Sequence, residues 1–193
     1  MNEIHLQQNA ALYIFDMDGT VLDAMPFWHS LRQKYLKSNR GSLGANDILQ
    51  DAVSQIRDSY ENTIPARPQI RQLVQDLSAQ AKTLCLITSS DRDLALDAMY
   101  RVQLLDCFEQ ILTTEDLTLQ EDCEDTFVQI CGRFHVSPQD TIFFGHAPQA
   151  LRSARKAGCY VVAILDDYNQ KDRDEIVSLS HDSFYLCGSS ISH

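Results

Sequence analysis

Leu12-Tyr13-Ile14-Phe15-Asp16-Met17-Asp18-Gly19-Thr20-Val21-Leu22-Asp23 decides how the rest of the chain is read. Four apolar, β-prone residues lead into two carboxylates one residue apart, and Gly19 and Thr20 then turn the chain back. The run reads as a strand with two apolar faces, as at the centre of a parallel sheet, where the chemistry gathers at the carboxyl ends of the strands. In an extended segment residues i and i+2 point the same way, so Asp16 and Asp18 converge on one small volume. Like charges that close repel: either a hard divalent cation such as Mg²⁺ bridges them, or one keeps a proton and becomes an acid. Both outcomes suit phosphoryl transfer, where one carboxylate attacks phosphorus and its neighbour moves a proton.

Downstream, the pattern alternates. Trp28, Leu31 and Tyr35 mark one helix, and Leu49, Ala52, Val53, Ile56 and Tyr60 a second, so Asp23 to Pro65 reads as a helical hairpin with its aromatic residues packing it on the core. Two prolines in Ile64-Pro65-Ala66-Arg67-Pro68 stiffen the return. Ile70, Leu73, Val74 and Leu77 give a helix, and Thr83 to Ile87 a strand that ends in Thr88-Ser89-Ser90-Asp91, a plausible cradle for an anion at a helix start. Ser90 or Asp91 also suit the helix cap there. Further strands are expected at 108–114, 141–144 and 160–165, with a sixth at Phe184-Tyr185-Leu186 on the edge. Strands alternating with helices of this length make a parallel sheet covered on both faces.

A formal net charge of −11 argues against a nucleic-acid partner or an acidic membrane surface. The six cysteines form no C-x-x-C pair and no zinc spacing, so they read as reduced thiols. With no apolar leader and no run of membrane-spanning length, the expected location is the cytoplasm.

The string IFDMDGTVLD resembles motif I of the haloacid dehalogenase superfamily, and the AMPFWHSLRQKYL after it resembles the β-phosphoglucomutase-like branch, whose cap is inserted at this point. The resemblance implies an α/β fold: a three-layer, Rossmann-like parallel-sheet core from residues 1–22 and 66–193, with 23–65 as a reduced helical cap. It implies a hydrolase, a phosphatase acting on a small phosphorylated molecule. Asp16 would be the nucleophile, Asp18 the general acid/base, and Asp16 with the main-chain carbonyl of Asp18 would hold Mg²⁺. Thr88 matches the phosphate-contacting hydroxyl of motif II, with Ser89 beside it and Thr20 among the phosphate-binding residues.

Two motifs depart from the pattern. The motif III lysine falls on Glu121, in a segment from Gln120 to Asp125 that holds no lysine or arginine. The motif IV aspartate is His146, a ligand better suited to Mn²⁺, Zn²⁺ or Co²⁺ than to Mg²⁺. Arg92, or less directly Lys156, would then supply the missing charge, and Asp91, Glu115 or Asp116 a substitute carboxylate. The alternative function is a catalytically weakened protein of the same fold that binds a phosphorylated ligand or a protein partner.

Overall fold

A computed structural model describes residues 10–38, 45–117 and 124–186. Leu12–Asp16 is strand β1, and it lies at the middle of a six-stranded sheet of order β3-β2-β1-β4-β5-β6 in which every adjacent pair is parallel. The other strands are β2 (Thr83–Thr88), β3 (Gln110–Thr113), β4 (Thr141–Gly145), β5 (Tyr160–Leu165) and β6 (Asp182–Tyr185). Between them run α3 (Pro68–Ala79), α4 (Arg92–Arg101), α5 (Glu124–Arg133), α6 (Pro148–Ala157) and α7 (Arg173–Leu179). The parallel alternation expected from the sequence is present, including the edge strand.

Period-two burial sorts β1 onto two cores. Tyr13 and Phe15 pack with Leu84, Leu86, Ile142 and Phe144 on one face, while Leu12 and Ile14 join Cys85, Phe143 and Val161 on the other. Phe15 stacks on Phe144 with ring centroids 4.5 Å apart, and Phe127 of α5 meets Phe143 edge-on at 4.7 Å. Because β1 is covered on both faces and paired along both edges, its last residue, Asp16, is held by the whole sheet.

The two helices expected between Asp23 and Pro65 form as α1 (Met25–Ser38) and α2 (Ala45–Asp58), followed by a π-helical turn at Ser59–Thr63. The chain leaves and re-enters the core side by side. Leu22 bridges Ala66 antiparallel, Asp23 N donates to Pro65 O at 2.9 Å, and Arg67 N donates to Val21 O at 2.9 Å. Of the aromatic residues expected to pack this hairpin on the core, Tyr60 is fully buried, Trp28 packs against the core, and Tyr35 joins the two helices through Asp51 and Gln55. Cys85, Cys107, Cys131 and Cys159 are free thiols among the described residues. No described helix is long and apolar enough to cross a membrane.

Candidate active site

At the carboxyl end of β1 the chain turns sharply. Gly19 N donates to Leu22 O and Leu22 N to Met17 O, and Gly19 takes φ +77°, a conformation that glycine adopts without strain. A Cβ at Gly19 would also lie 2.7 Å from Cγ of His146, so this turn both reverses the chain and makes room for the imidazole. Asp16 and Asp18 line one cavity of about 660 Å³ at this edge, and Thr88, Ser89, Ser90 and His146 line it with them.

Asp18 is held on one side only. Its Oδ2 accepts from the Tyr60 hydroxyl at 2.8 Å and from Ser90 Oγ at 3.1 Å, whereas its buried Oδ1 has no hydrogen-bond partner. Tyr60 in turn accepts from Trp28 Nε1 at 3.2 Å. Burial pushes the Asp18 carboxyl up to about 6, against the hydrogen bonds from Tyr60 and Ser90 that favour its charged form. Burial, then the Asp18 charge, pushes the Tyr60 phenol upward as well, so that it remains a donor. The Thr88 hydroxyl accepts from Ser90 N at 3.0 Å, closing the turn that opens α4.

The other flank is organised differently. Buried His146 follows β4, and its Nε2 lies 3.4 Å from Oδ1 of Asp166, which follows β5. Asp166 also accepts from the Tyr168 and Asn169 amides at 2.8 and 3.2 Å. Arg67 pairs with Asp166 and, at 3.1 Å, with Asp23; all three side chains are under 10% exposed. Burial would raise the Asp166 carboxyl, but the hydrogen bond and charge of His146, the Arg67 charge and the Tyr168 amide outweigh it and hold the group below the usual carboxylate value.

The structure thus brings Asp16, Asp18, Thr88, Ser89 and His146 together on the cavity and sets two expected residues apart from it. Thr20 is fully buried with an unpartnered Oγ1 and is not among the residues that line the cavity. Arg92 does not line it either; its guanidinium is paired with Asp116, whose carboxylate also accepts from the Thr113 amide and hydroxyl. Asp116 is thereby committed to β3 and Arg92, while Asp91 lines the cavity. Glu121 lies outside the described residues. Among the described residues no group of three or more His, Cys, Asp or Glu side chains is arranged to hold a metal ion. Sequence reasoning missed Tyr60 as a partner of Asp18 and the Arg67–Asp166 pair beneath His146.

A parallel sheet with two aspartates at the end of its central strand, beside a Thr-Ser turn at the end of the neighbouring strand, defines a class of hydrolase fold. The sequence profile of haloacid dehalogenase-like hydrolases matches residues 41–164, and the chain belongs to that family. A phosphoglycolate phosphatase from Nitrosospira multiformis is 26% identical over 190 residues, covering 81% of this chain and 84% of that one. A phosphorylated carbohydrates phosphatase from Thermotoga maritima is 21% identical over 174 residues, covering 75% and 80%. Among solved structures, a Thermotoga maritima protein provisionally assigned as a beta-phosphoglucomutase shares the fold with a TM-score of 0.78 at 14% identity, over 91% of this chain and 94% of that one.

Proposed function

We propose that the chain is a phosphatase that cleaves a small phosphomonoester through an aspartyl-phosphate on Asp16. The observation that carries this reading is that Asp16 and Asp18 open on one cavity that Thr88 and Ser89, at the end of the neighbouring strand, line with them. An Asp16 oxygen attacks phosphorus, the ester P–O bond breaks, and the leaving oxygen takes a proton from Asp18. Water then attacks the phosphorus, gives a proton to Asp18, and the bond to Asp16 breaks, releasing inorganic phosphate. The Thr88 and Ser89 hydroxyls would orient the phosphoryl oxygens. Residues 23–65 serve as a short cap over the site, hinged at the Leu22–Ala66 bridge.

Enzymes of this family generally use a divalent metal ion, and the donor set fits one in part. The buried Oδ1 of Asp18 has no hydrogen-bond partner, Asp16 lines the same cavity, and among the described residues no lysine or arginine does. Asp16 and the main-chain carbonyl of Asp18 would hold the ion, Mg²⁺ by the oxygen character of these donors, leaving the Asp18 carboxyl to move the proton; the ion would neutralise charge on the phosphoryl oxygens. His146 fits this role poorly, since its Nε2 faces Asp166.

The test is phosphate release from p-nitrophenyl phosphate with Mg²⁺, Mn²⁺ or Co²⁺, beside an Asp16→Asn control. Turnover should fall on the order of a thousandfold or more in the variant. Turnover that survives the substitution sinks the reading. If no metal supports turnover, the alternative of a ligand-binding protein takes its place; what favours it is the absence of lysine and arginine among the described cavity residues.

A further inference from the structure

The identity of the cavity walls goes further than the presence of the two aspartates. Met25 and Trp28 of α1 and Ile56 of α2 line the cavity together with Leu94, Leu117 and Phe127, so a substantial part of its wall is hydrocarbon. Trp28 is held in place, its Nε1 on Tyr60 and its ring edge-on to Phe27 at 5.4 Å. A fixed indole gives an apolar wall that need not be ordered when a ligand arrives.

Carboxylates dominate this space. Asp16, Asp18, Asp91 and Asp172 line it beside His146, whose Nε2 is turned to Asp166, and among the described residues no lysine or arginine does. The two nearby guanidinium groups are already committed, Arg92 to Asp116 and Arg67 to Asp23 and Asp166. An ion held at Asp16 would offset the phosphoryl charge, yet a second anionic group on the substrate would meet hydrocarbon, Asp91 and Asp172, or uncharged groups such as Thr114, Gln149 and Asn169, with no lysine or arginine among the described lining residues. An anion that leaves water without a full positive charge to receive it is poorly compensated. A cavity of about 660 Å³ also exceeds what a two-carbon phosphate ester fills.

We propose that, granted phosphoryl chemistry at Asp16, this cavity selects phosphate monoesters of an uncharged apolar or aromatic group and disfavours esters that carry a second acidic group. The Nitrosospira relative is named for phosphoglycolate, which bears a carboxylate beside its phosphate. On this reasoning that compound is a poor ligand here.

Trp28 is the chain's single tryptophan and lines the cavity, so its fluorescence reports binding without turnover. The full-length Asp16→Asn protein is titrated in Mg²⁺ buffer with phenyl phosphate, 2-phosphoglycolate and inorganic phosphate, with calorimetry giving the same constants independently. Phenyl phosphate should bind at least about tenfold more tightly than either of the others, the margin expected when like charges are set against one another. Equal or tighter binding of 2-phosphoglycolate overturns the proposal, as does phenyl phosphate binding no better than inorganic phosphate, or no binding by any of the three. Ile56→Lys puts a cation on the half-buried wall and should strengthen 2-phosphoglycolate binding by about tenfold relative to phenyl phosphate. A ratio that this variant leaves unmoved overturns it too. The proposal and the phosphatase reading fail separately. Binding in the expected order with no hydrolysis of any ester sinks the phosphatase alone, and faster turnover of 2-phosphoglycolate than of phenyl phosphate sinks this selectivity alone.

Discussion

The two flanks of β1 meet the same cavity with opposite arrangements. On the β2 side, Ser90 and Tyr60 donate to Asp18 while Thr88 and Ser89 line the opening, leaving one Asp18 oxygen unmatched. On the β4 and β5 side, His146, Asp166, Arg67 and Asp23 turn toward one another, with the Arg67 guanidinium paired to both carboxylates. One Asp18 oxygen is left open on the first flank, whereas the His146 imidazole on the second is turned to Asp166. Under the phosphatase reading proposed above, the positive charge that a phosphate needs would arrive with an ion.

The comparison breaks most easily at Arg67. Its guanidinium sits between two buried carboxylates, and removing one partner of such a group leaves the others charged and unpaired. Arg67→Met is expected to cost about 3–5 kcal/mol, read from the midpoint of guanidinium chloride unfolding. A loss under about 1 kcal/mol would mean that water reaches these charges, and the second flank would then resemble the first.

On the cavity flank the corresponding change is Tyr60→Phe, which takes a donor from Asp18 and an acceptor from Trp28 while keeping the buried ring. Leaving buried partners unsatisfied costs about 1–3 kcal/mol, and Trp28 emission should shift because its Nε1 loses its bond. Unchanged emission would place the Trp28–Tyr60 contact outside the solution structure. A stability loss as large as that of Arg67→Met would remove the contrast between the flanks.

The sheet and the positions of Asp16, Thr88, Ser89 and His146 were legible because each follows directly on an apolar strand, and a strand end is a local signal. Tyr60 was not, since it falls on the helical stripe of Leu49 and Ile56 and so reads as packing. Only the π-turn at Ser59–Thr63 brings its hydroxyl to Asp18, 42 positions away in sequence. Arg67 lies between Pro65 and Pro68 and reads as part of a hinge, while its partner Asp166 is 99 positions distant. Arg92 misled for the same reason: its place after the Thr-Ser turn suggests a phosphate ligand, but Asp116, 24 positions on, takes it. Local pattern reports which face a residue occupies, and pairing between distant elements decides what its polar atoms do there.

Asp116 supplies the smallest test and sharpens the contrast, because its ion pair is on the surface. Hydrogen bonding from the Thr113 amide, then from its hydroxyl, and the Arg92 charge outweigh burial and hold the Asp116 carboxyl below its usual 3.8. In acid the unfolded chain therefore takes up a proton before the folded one does, so the stabilisation is complete above that usual value and drains away as pH falls through the lower folded value. Asp116→Asn should accordingly be less stable than the parent at pH 7, with the gap in Tm closing below about pH 4. Since the Arg92 side chain is 40% exposed, this gap should stay under that of Tyr60→Phe and shrink further in 1 M salt, where charges are screened within roughly 3 Å. The loss from Arg67→Met, lying between carboxylates that water does not reach, should hardly respond to the same salt; if both losses fell alike, the second flank would be as open to solvent as the first.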